Sequence, residues 1–363
     1  MIDLLIVGCG AVVDRLYHGA LRKLEASGIA RVVALADPNP AQLATMRRRF
    51  RSARAFSTAD EAFTHVRPTL TIIATPPGLH ADHATLALRA GSHVLCEKPM
   101  ATNVADAERM LAAARAADRV LAVGMIRRIY PCLGEARALM DSGAIGDRFR
   151  FHYREGAVYD WPVSSGAAFR RTISGGGVLA DLGSHVIDFL SALFGPAKVA
   201  DYSDDGQADG VETNCRLDLS FPRASGVVQL SWSQPLMSGL QIVGSAGELV
   251  LVPGRIDVVR WRRHGGEWET RVSTATWPCD LRTAGRRATP RTYYDCIYYQ
   301  LVQALRGVAF AEPVAAGGEQ GVAVVRVIEE CYRTARPLPL PWLEAAERSR
   351  AEARHWSHKR WIA

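Results

Sequence analysis

Asp181 and His185 stand four residues apart in the run Gly175-Gly176-Gly177-Val178-Leu179-Ala180-Asp181-Leu182-Gly183-Ser184-His185. On a helix that spacing puts a carboxylate and an imidazole on one face. The carboxylate can orient the ring or raise its pKa, and both can meet one ligand. An imidazole titrates near neutrality, which suits it to proton transfer. The three glycines let the backbone come close to something bulky. Asp188 reads as a structural acid. A second candidate is Lys98, in Cys96-Glu97-Lys98-Pro99. A residue before proline is held out of helical geometry. Lys98 should therefore end a strand with its ammonium aimed out of the sheet, at the edge where open α/β sheets bind ligands.

The elements that must position these groups begin at the N-terminus. Leu4-Leu5-Ile6-Val7 is a buried-strand pattern. It runs into Gly8-Cys9-Gly10-Ala11-Val12-Val13, and a helical pattern follows through Leu16, Ala20 and Leu24. Strand, glycine turn and helix is the context of a dinucleotide fingerprint. Gly8 permits the tight turn. Gly10 lets backbone approach a pyrophosphate, which the helix start (Ala11, Val12, Val13) attracts. Val13 replaces the third glycine, whose work is helix–strand packing. The next strand, Val32 to Ala36, ends at Asp37. That is the spacing of an acid that binds the adenosine ribose, although Asp37-Pro38-Asn39-Pro40 also reads as a turn. A carboxylate there accepts from both ribose hydroxyls of NAD and repels the 2′-phosphate of NADP. NAD is the expected cofactor.

Leu70 to Ala74 forms a further strand and leads into Thr75-Pro76-Pro77-Gly78-Leu79-His80. Thr75, Pro76, Pro77 and His80 are expected on the cofactor side, with His80 either a contact or a capping, packed ring. His93 to Cys96 and Val120 to Val123 continue a β-α alternation, which implies parallel strands with right-handed crossovers. After Met125 the pattern changes. A helix is expected from Pro131 to Ser142. Strands without intervening helices follow: Phe149 to Tyr153, Val211 to Phe221, Ser225 to Ser233, Leu240 to Val243, Glu248 to Val252 and Ile256 to Arg262. That is a mostly antiparallel, open-faced sheet. Thr274 to Pro290 reads as a loop, and helices return at Thr292 to Arg306 and Glu319 to Ala335. Pro337, Pro339 and Pro341 mark an extended passage before a last helix. The expected plan is a doubly wound α/β Rossmann domain over 1–125, binding NAD(P), and an α+β domain over 126–363 for substrate and oligomerisation.

Composition narrows the class. The chain has 363 residues, 48% hydrophobic and 22% charged, with a formal charge of +7. That is ordinary globular composition, long enough for two cores. Arg47 to Arg49 and the tail from Arg348 to Arg360 read as solvated helix faces, not a nucleic-acid footprint. Seven scattered cysteines with no CxxC pair argue against a disulfide framework or a zinc site, so no metal is expected. No signal peptide precedes the first strand and no apolar stretch is read as long enough to span a membrane. A cytoplasmic location is the expectation.

Taken together, Gly8-Cys9-Gly10, Thr75-Pro76-Pro77-Gly78-Leu79-His80, Glu97-Lys98-Pro99 and Gly175-Gly176-Gly177 followed by Asp181 and His185 resemble the Gfo/Idh/MocA oxidoreductases. That group includes glucose–fructose oxidoreductase and inositol 2-dehydrogenase. The resemblance extends to Ser142-Gly143-Ala144-Ile145-Gly146 and covers most of the chain. It implies hydride transfer between a nicotinamide and a secondary hydroxyl or ketone of a sugar, nucleotide-sugar or cyclitol. It also implies that Lys98, Asp181 and His185 act on the reacting hydroxyl. His185 is expected as the base, Lys98 as the donor that stabilises alkoxide charge, and Asp181 as the group that orients His185 or binds a neighbouring hydroxyl. Glu97 is expected to position its loop and reach the cofactor ribose. Arg127, Arg128, Tyr159, Trp161, Arg170 and Arg171 are further candidates for substrate contact, beside segments the family places near its substrate. Two other classes are kept open: an NAD-retaining, glycosidase-like enzyme using transient oxidation, and a non-catalytic NAD-binding regulator. A homodimer or homotetramer packed through the second-domain sheet is expected.

Overall fold

Parallel strands with crossover helices form the N-terminal part, as the buried apolar runs require. A computed structural model describes residues 1–162, 166–206, 210–251, 254–282 and 285–338, with backbone only at 237 and 238. The last helix, Pro339, Pro341, the basic tail from Arg348 to Arg360 and the end of the Glu248 to Val252 strand lie outside these residues. The described chain divides into two compact units. The first comprises Met1–Ile129, Pro162–Ser165 and Ala275–Val325; the second comprises Tyr130–Trp161, Gly166–Thr274 and Arg326 onward.

In the first unit, strands β1 (Ile2–Val7), β2 (Ala30–Ala36), β3 (Arg54–Phe56), β4 (Leu70–Ile73), β5 (His93–Cys96) and β6 (Leu121–Val123) form one sheet in the order β3-β2-β1-β4-β5-β6. Every pair is parallel. The crossovers are α1 (His18–Ala26), α2 (Pro40–Arg49), α3 (Ala59–His65), α4 (His80–Arg89) and α5 (Val104–Ala117). Asn39, Thr58 and Asn103 cap α2, α3 and α5 through their side-chain oxygens, as short polar residues at helix starts do. The β3–α3 step carries little periodic apolar signal and is absent from the expected element list.

Before α1 the chain makes one π-helical turn, Val13–Tyr17. Such a turn adds one residue to a helix. The buried face becomes Val13, Tyr17, Ala20, Leu21 and Leu24. The expected face through Leu16 is thereby displaced, and Leu16 is only half-buried.

The second unit opens with α6 (Pro131–Asp141), β7 (Phe149–Gly156) and the short α7 (Arg171–Ser174). A π-helical turn over Leu179–Gly183 leads into α8 (Ser184–Phe194). Strands β8 (Lys198–Asp204), β9 (Asn214–Ser220), β10 (Ala224–Ser231), β11 (Leu236–Gly244), β12 (Gly247–Leu251), β13 (Val258–Arg263) and β14 (Glu269–Val272) follow. A nine-stranded sheet runs β14-β13-β12-β11-β7-β10-β9-β8-β17, where β17 is Arg336–Pro337. β7–β10 and β8–β17 are parallel and the other pairs antiparallel.

Side chains alternate across this sheet as a pleat demands. Phe149, Phe151 and Tyr153 point inward, and Arg150 and His152 stay exposed. Phe151 stacks on Phe194 at 5.5 Å and meets Phe221 at 5.8 Å, which fastens α8 to the inner face. By length and composition the helical run Arg171–Phe194 is long enough to cross a membrane, contrary to the expectation that no stretch is. Yet 78% of its most apolar window is buried inside the protein. It is a core helix, and its apolar face is spent on the sheet.

The chain then supplies β15 (Trp277–Pro278), β16 (Arg287–Ala288), α9 (Tyr293–Phe310) and α10 (Gly318–Thr334). β15 and β16 pair as a small ribbon inside the segment expected to be loop. Residues 275–325, placed with the second domain by reading the chain in order, cluster with the first unit. α9 packs on α1 and on the π-turn before it, and Gly317 bridges to Ala122 of β6. Such long-range returns leave no local sequence mark.

Candidate active site

Each unit carries one cluster. In the first, the turn after β1, the loop after β4 and the loop after β5 leave the carboxyl edge of three adjacent parallel strands. Gly8 has φ +91°, and a Cβ there would lie 2.6 Å from the Ala74 backbone. Only glycine lets β1 turn against the end of β4. A Cβ at Gly10 would meet nothing within 4 Å. The backbone is open at that point, and Ala11 and Val12, half-buried, begin the helix. Val13 is fully buried, so the missing third glycine is replaced by a packed side chain on the widened π-turn. Asp37 accepts the Cys9 N–H on Oδ2 and the Asn39 N–H on Oδ1, both at 2.7 Å. It ties the glycine turn to the end of β2, as the turn reading of this carboxylate describes.

A dinucleotide therefore finds a fitting cradle in these residues: an open glycine backbone, a helix start and an acid at the end of β2. Arg47 and Arg48 are exposed, as expected, but Arg49 pairs with Asp14 at 2.6 Å and packs beside His18.

Lys98 is the second residue past β5 and is half-buried; its peptide bond to Pro99 is cis. Glu97 beside it is held from two sides. Tyr17 donates its O–H to Glu97 Oε1 at 2.5 Å, and the Lys98 N–H reaches Oε2 at 3.1 Å. Gln300, on α9, donates Nε2–H to the Tyr17 oxygen at 2.8 Å. Burial, then the Glu97 charge, push the Tyr17 hydroxyl pKa well up, so it stays a donor.

His80 is fully buried. Its ring nitrogens lie 2.9 Å from the Pro99 carbonyl and 2.8 Å from the Thr75 carbonyl. Burial drives its pKa down to about 4 against the pull of the two carbonyls, so the neutral ring donates to one of them. The structure thus places His80 behind the loops carrying Thr75 and Lys98, and the packed alternative describes it. Thr75, Pro76 and Pro77 are half-buried at the edge itself. Arg127 and Arg128 lie in a short turn, Ile126–Ile129, of this same unit.

The second cluster surrounds the start of α8. Asp181, half-buried, lies in the π-turn and His185, buried, in the first turn of α8. The Ser184 hydroxyl donates to the Asp181 carbonyl at 2.7 Å. Tyr159 is brought beside Asp181: its hydroxyl pKa is raised by burial and then by the Asp181 charge. The Tyr159 ring is braced edge-on by Trp232 at 4.8 Å and Phe169 at 5.3 Å. Trp161 is half-buried in the following loop, and Arg170 is exposed, with its carbonyl accepting the Ile173 and Ser174 N–H groups. Arg171 lies with its guanidinium 4.3 Å over the Tyr332 ring. Asp188 is buried, as a structural acid should be.

The bulky neighbour of the three glycines is the protein itself. A Cβ on Gly176 would fall 1.8 Å from the Tyr332 hydroxyl, and one on Gly177 would fall 1.9 Å from the Glu212 carbonyl. Tyr17, Gln300, Glu212 and Tyr332 went unread in the sequence; the glycine triplet was the one signal that some large group must sit there.

Comparison with known proteins agrees with this anatomy. Residues 2–125 match the family described as "Oxidoreductase family, NAD-binding Rossmann fold", and residues 133–250 match the "GFO/IDH/MocA C-terminal domain". The chain belongs to the Gfo/Idh/MocA family. Among relatives of this Gfo/Idh/MocA protein, D-glucoside 3-dehydrogenase of Escherichia coli is 27% identical over 217 residues, covering 58% of this chain. The match spans 59% of that relative, a little over half its length. A scyllo-inositol 2-dehydrogenase (NADP(+)) of Bacillus subtilis is 25% identical over 315 residues, covering 80% of this chain and 83% of the relative. The fold matches a dehydrogenase from Bordetella pertussis in complex with NADH and UDP-GlcNAcA. The TM-score is 0.74 at 23% identity, over 93% of this chain and 98% of that one.

Proposed function

We propose that this protein is an NAD-dependent oxidoreductase that moves hydride between the nicotinamide and a secondary hydroxyl or ketone of a sugar, nucleotide-sugar or cyclitol. The observation that carries this reading is the shared edge of β1, β4 and β5, where the open Gly10 backbone leaves β1 and the Glu97–Lys98 loop leaves β5, with β4 between them. Family membership and the sugar or cyclitol dehydrogenases among the relatives support the substrate class.

Gly8, Gly10, Ala11, Val12 and Val13 hold the pyrophosphate and Asp37 the adenosine ribose, with Thr75 to Pro77 and Glu97 on the nicotinamide side. The bound cofactor supplies the hydride acceptor. Lys98 donates a hydrogen bond to the substrate oxygen and stabilises its negative charge. His185 takes the hydroxyl proton, and Asp181, with Tyr159 beside it, orients the imidazole or a neighbouring hydroxyl. In the reducing direction the same groups return the proton. Preference for NAD over NADP rests on Asp37, against the NADP(+) in the name of the Bacillus subtilis relative. A homodimer or homotetramer through the open face of the nine-stranded sheet, and a cytoplasmic location, complete the reading. That face presents Arg150, His152, Arg216, Gln229 and Gln241 in a polar array.

The direct test is a screen for NADH release over inositols, free hexoses and UDP- or TDP-sugars. Stoichiometric NADH with one class supports the proposal. Turnover that needs only catalytic NAD points to the glycosidase-like alternative, and no turnover with tight NAD binding points to a regulator.

A further inference from the structure

Glu212 is fully buried, just before β9, and takes no part in the chemistry above. Its Oε1 accepts the Gly177 N–H at 2.9 Å, the Leu179 N–H at 3.0 Å and the Tyr332 O–H at 2.8 Å. Its backbone carbonyl accepts the Val178 N–H between them, at 3.0 Å. The first N–H groups of a helix have no partner inside it. Here three consecutive ones are taken by a single residue, distant in sequence, at the start of the helical run that carries Asp181 and His185. The Gly177 approach explains how: any side chain there would overlap the Glu212 carbonyl. Tyr332 is held in turn under the Arg171 guanidinium. An ordinary cap comes from the adjoining residue and fixes only the chain's entrance. A cap from a residue remote in the chain, here the one leading into β9, also fixes where the helix start lies against that segment.

We propose that Glu212 is a positioning residue for Asp181 and His185, setting the height and rotation of their helix through this three-N–H clasp. The inference rests on the reading of those two residues as the proton-handling pair. Glutamine at 212 can keep the accepting oxygen in place, and Oε2 has no hydrogen-bond partner among the described residues for the new amide to displace. Aspartate keeps the carboxyl group but withdraws the oxygen by one methylene.

The test compares Glu212→Gln and Glu212→Asp, both close in size to the native residue. kcat, substrate KM and dinucleotide Kd are measured together with the His185 imidazole resonances, assigned by their loss in His185→Ala. Glu212→Gln should retain at least a third of kcat. Glu212→Asp should lose tenfold or more, with dinucleotide Kd within twofold and the His185 resonances shifted. If aspartate works as well as glutamate while glutamine is inactive, the carboxyl matters and not the clasp, and the proposal fails. It fails equally if neither variant moves the His185 resonances. Should His185→Ala itself remain active, the functional reading falls, yet a shifted His185 signal in Glu212→Asp would still support the clasp.

Discussion

The Tyr17 hydroxyl lies 2.5 Å from Glu97 Oε1, eighty positions along the chain, and Gln300 completes the line at 2.8 Å. The π-turn at Val13–Tyr17 delivers the phenol to this place, and α9 delivers the amide. The loop carrying Lys98 is thereby fastened from beneath by buried groups. Tyr17→Phe should remove both hydrogen bonds and cost about 1–3 kcal/mol of stability, the usual penalty for stranding a buried polar group. It should lower kcat about tenfold with little change in dinucleotide Kd. Thermal unfolding and steady-state kinetics decide the point; an unaltered kcat would show that the network is not what holds the Lys98 loop.

Gly8→Ala tests the cofactor turn. The added carbon would meet the Ala74 backbone at 2.6 Å and force alanine to φ +91°. A left-handed conformation alone costs a non-glycine residue about 1–2 kcal/mol. We expect a fall in thermal midpoint and at least a tenfold rise in dinucleotide Kd by fluorescence titration. Gly10→Ala, where nothing lies within 4 Å, should fold normally and still lose dinucleotide affinity.

These two variants also separate what the sequence displays from what it hides. Gly8, Gly10, Asp37 and Lys98 are legible because each follows a short strand that closes on an apolar run, and the strand's end dictates where they point. The Asp181–His185 spacing is legible for the same local reason. Tyr17 is not, because one extra residue in a π-turn shifts the helix face from Leu16 to Tyr17, and no apolar count reveals it. Glu212 and Gln300 are hidden because their partners are remote in the chain. β3 and α3 escape because a three-residue strand with Phe56 alone buried and a seven-residue helix carry too short a pattern.

Stability should depend on pH through Glu212. Burial first, then the Asp204 charge, push its carboxyl up from 4.5 to about 7; Tyr332 and the Leu179 N–H pull the other way, with Arg171, Tyr202 and Cys215 packed around them. A raised acid pKa contributes stability that is complete below the unfolded value, near 4.5, and is lost as pH rises through about 7. The cost of ionisation is on the order of 3 kcal/mol at a fully buried site. Glu212→Gln does not titrate. Its thermal midpoint should therefore gain on that of the native protein between about pH 5 and pH 8. A constant or shrinking gap would contradict the assignment.

Asp37→Ser addresses the cofactor. The carboxylate that accepts from Cys9 and Asn39 is the group that the proposed function sets against a 2′-phosphate. Its loss should cut the NAD-over-NADP ratio of kcat/KM by tenfold or more, measured with one substrate. An unchanged ratio would remove the basis for preferring NAD.

The most direct measurement is single-turnover hydride transfer at saturating NAD and substrate in Lys98→Ala and His185→Ala. Each should bind dinucleotide within about threefold of the native protein and transfer hydride at least ~100-fold more slowly, as expected when a charge-stabilising donor or a general base is lost. Transfer within twofold of the native rate in both variants would contradict the account.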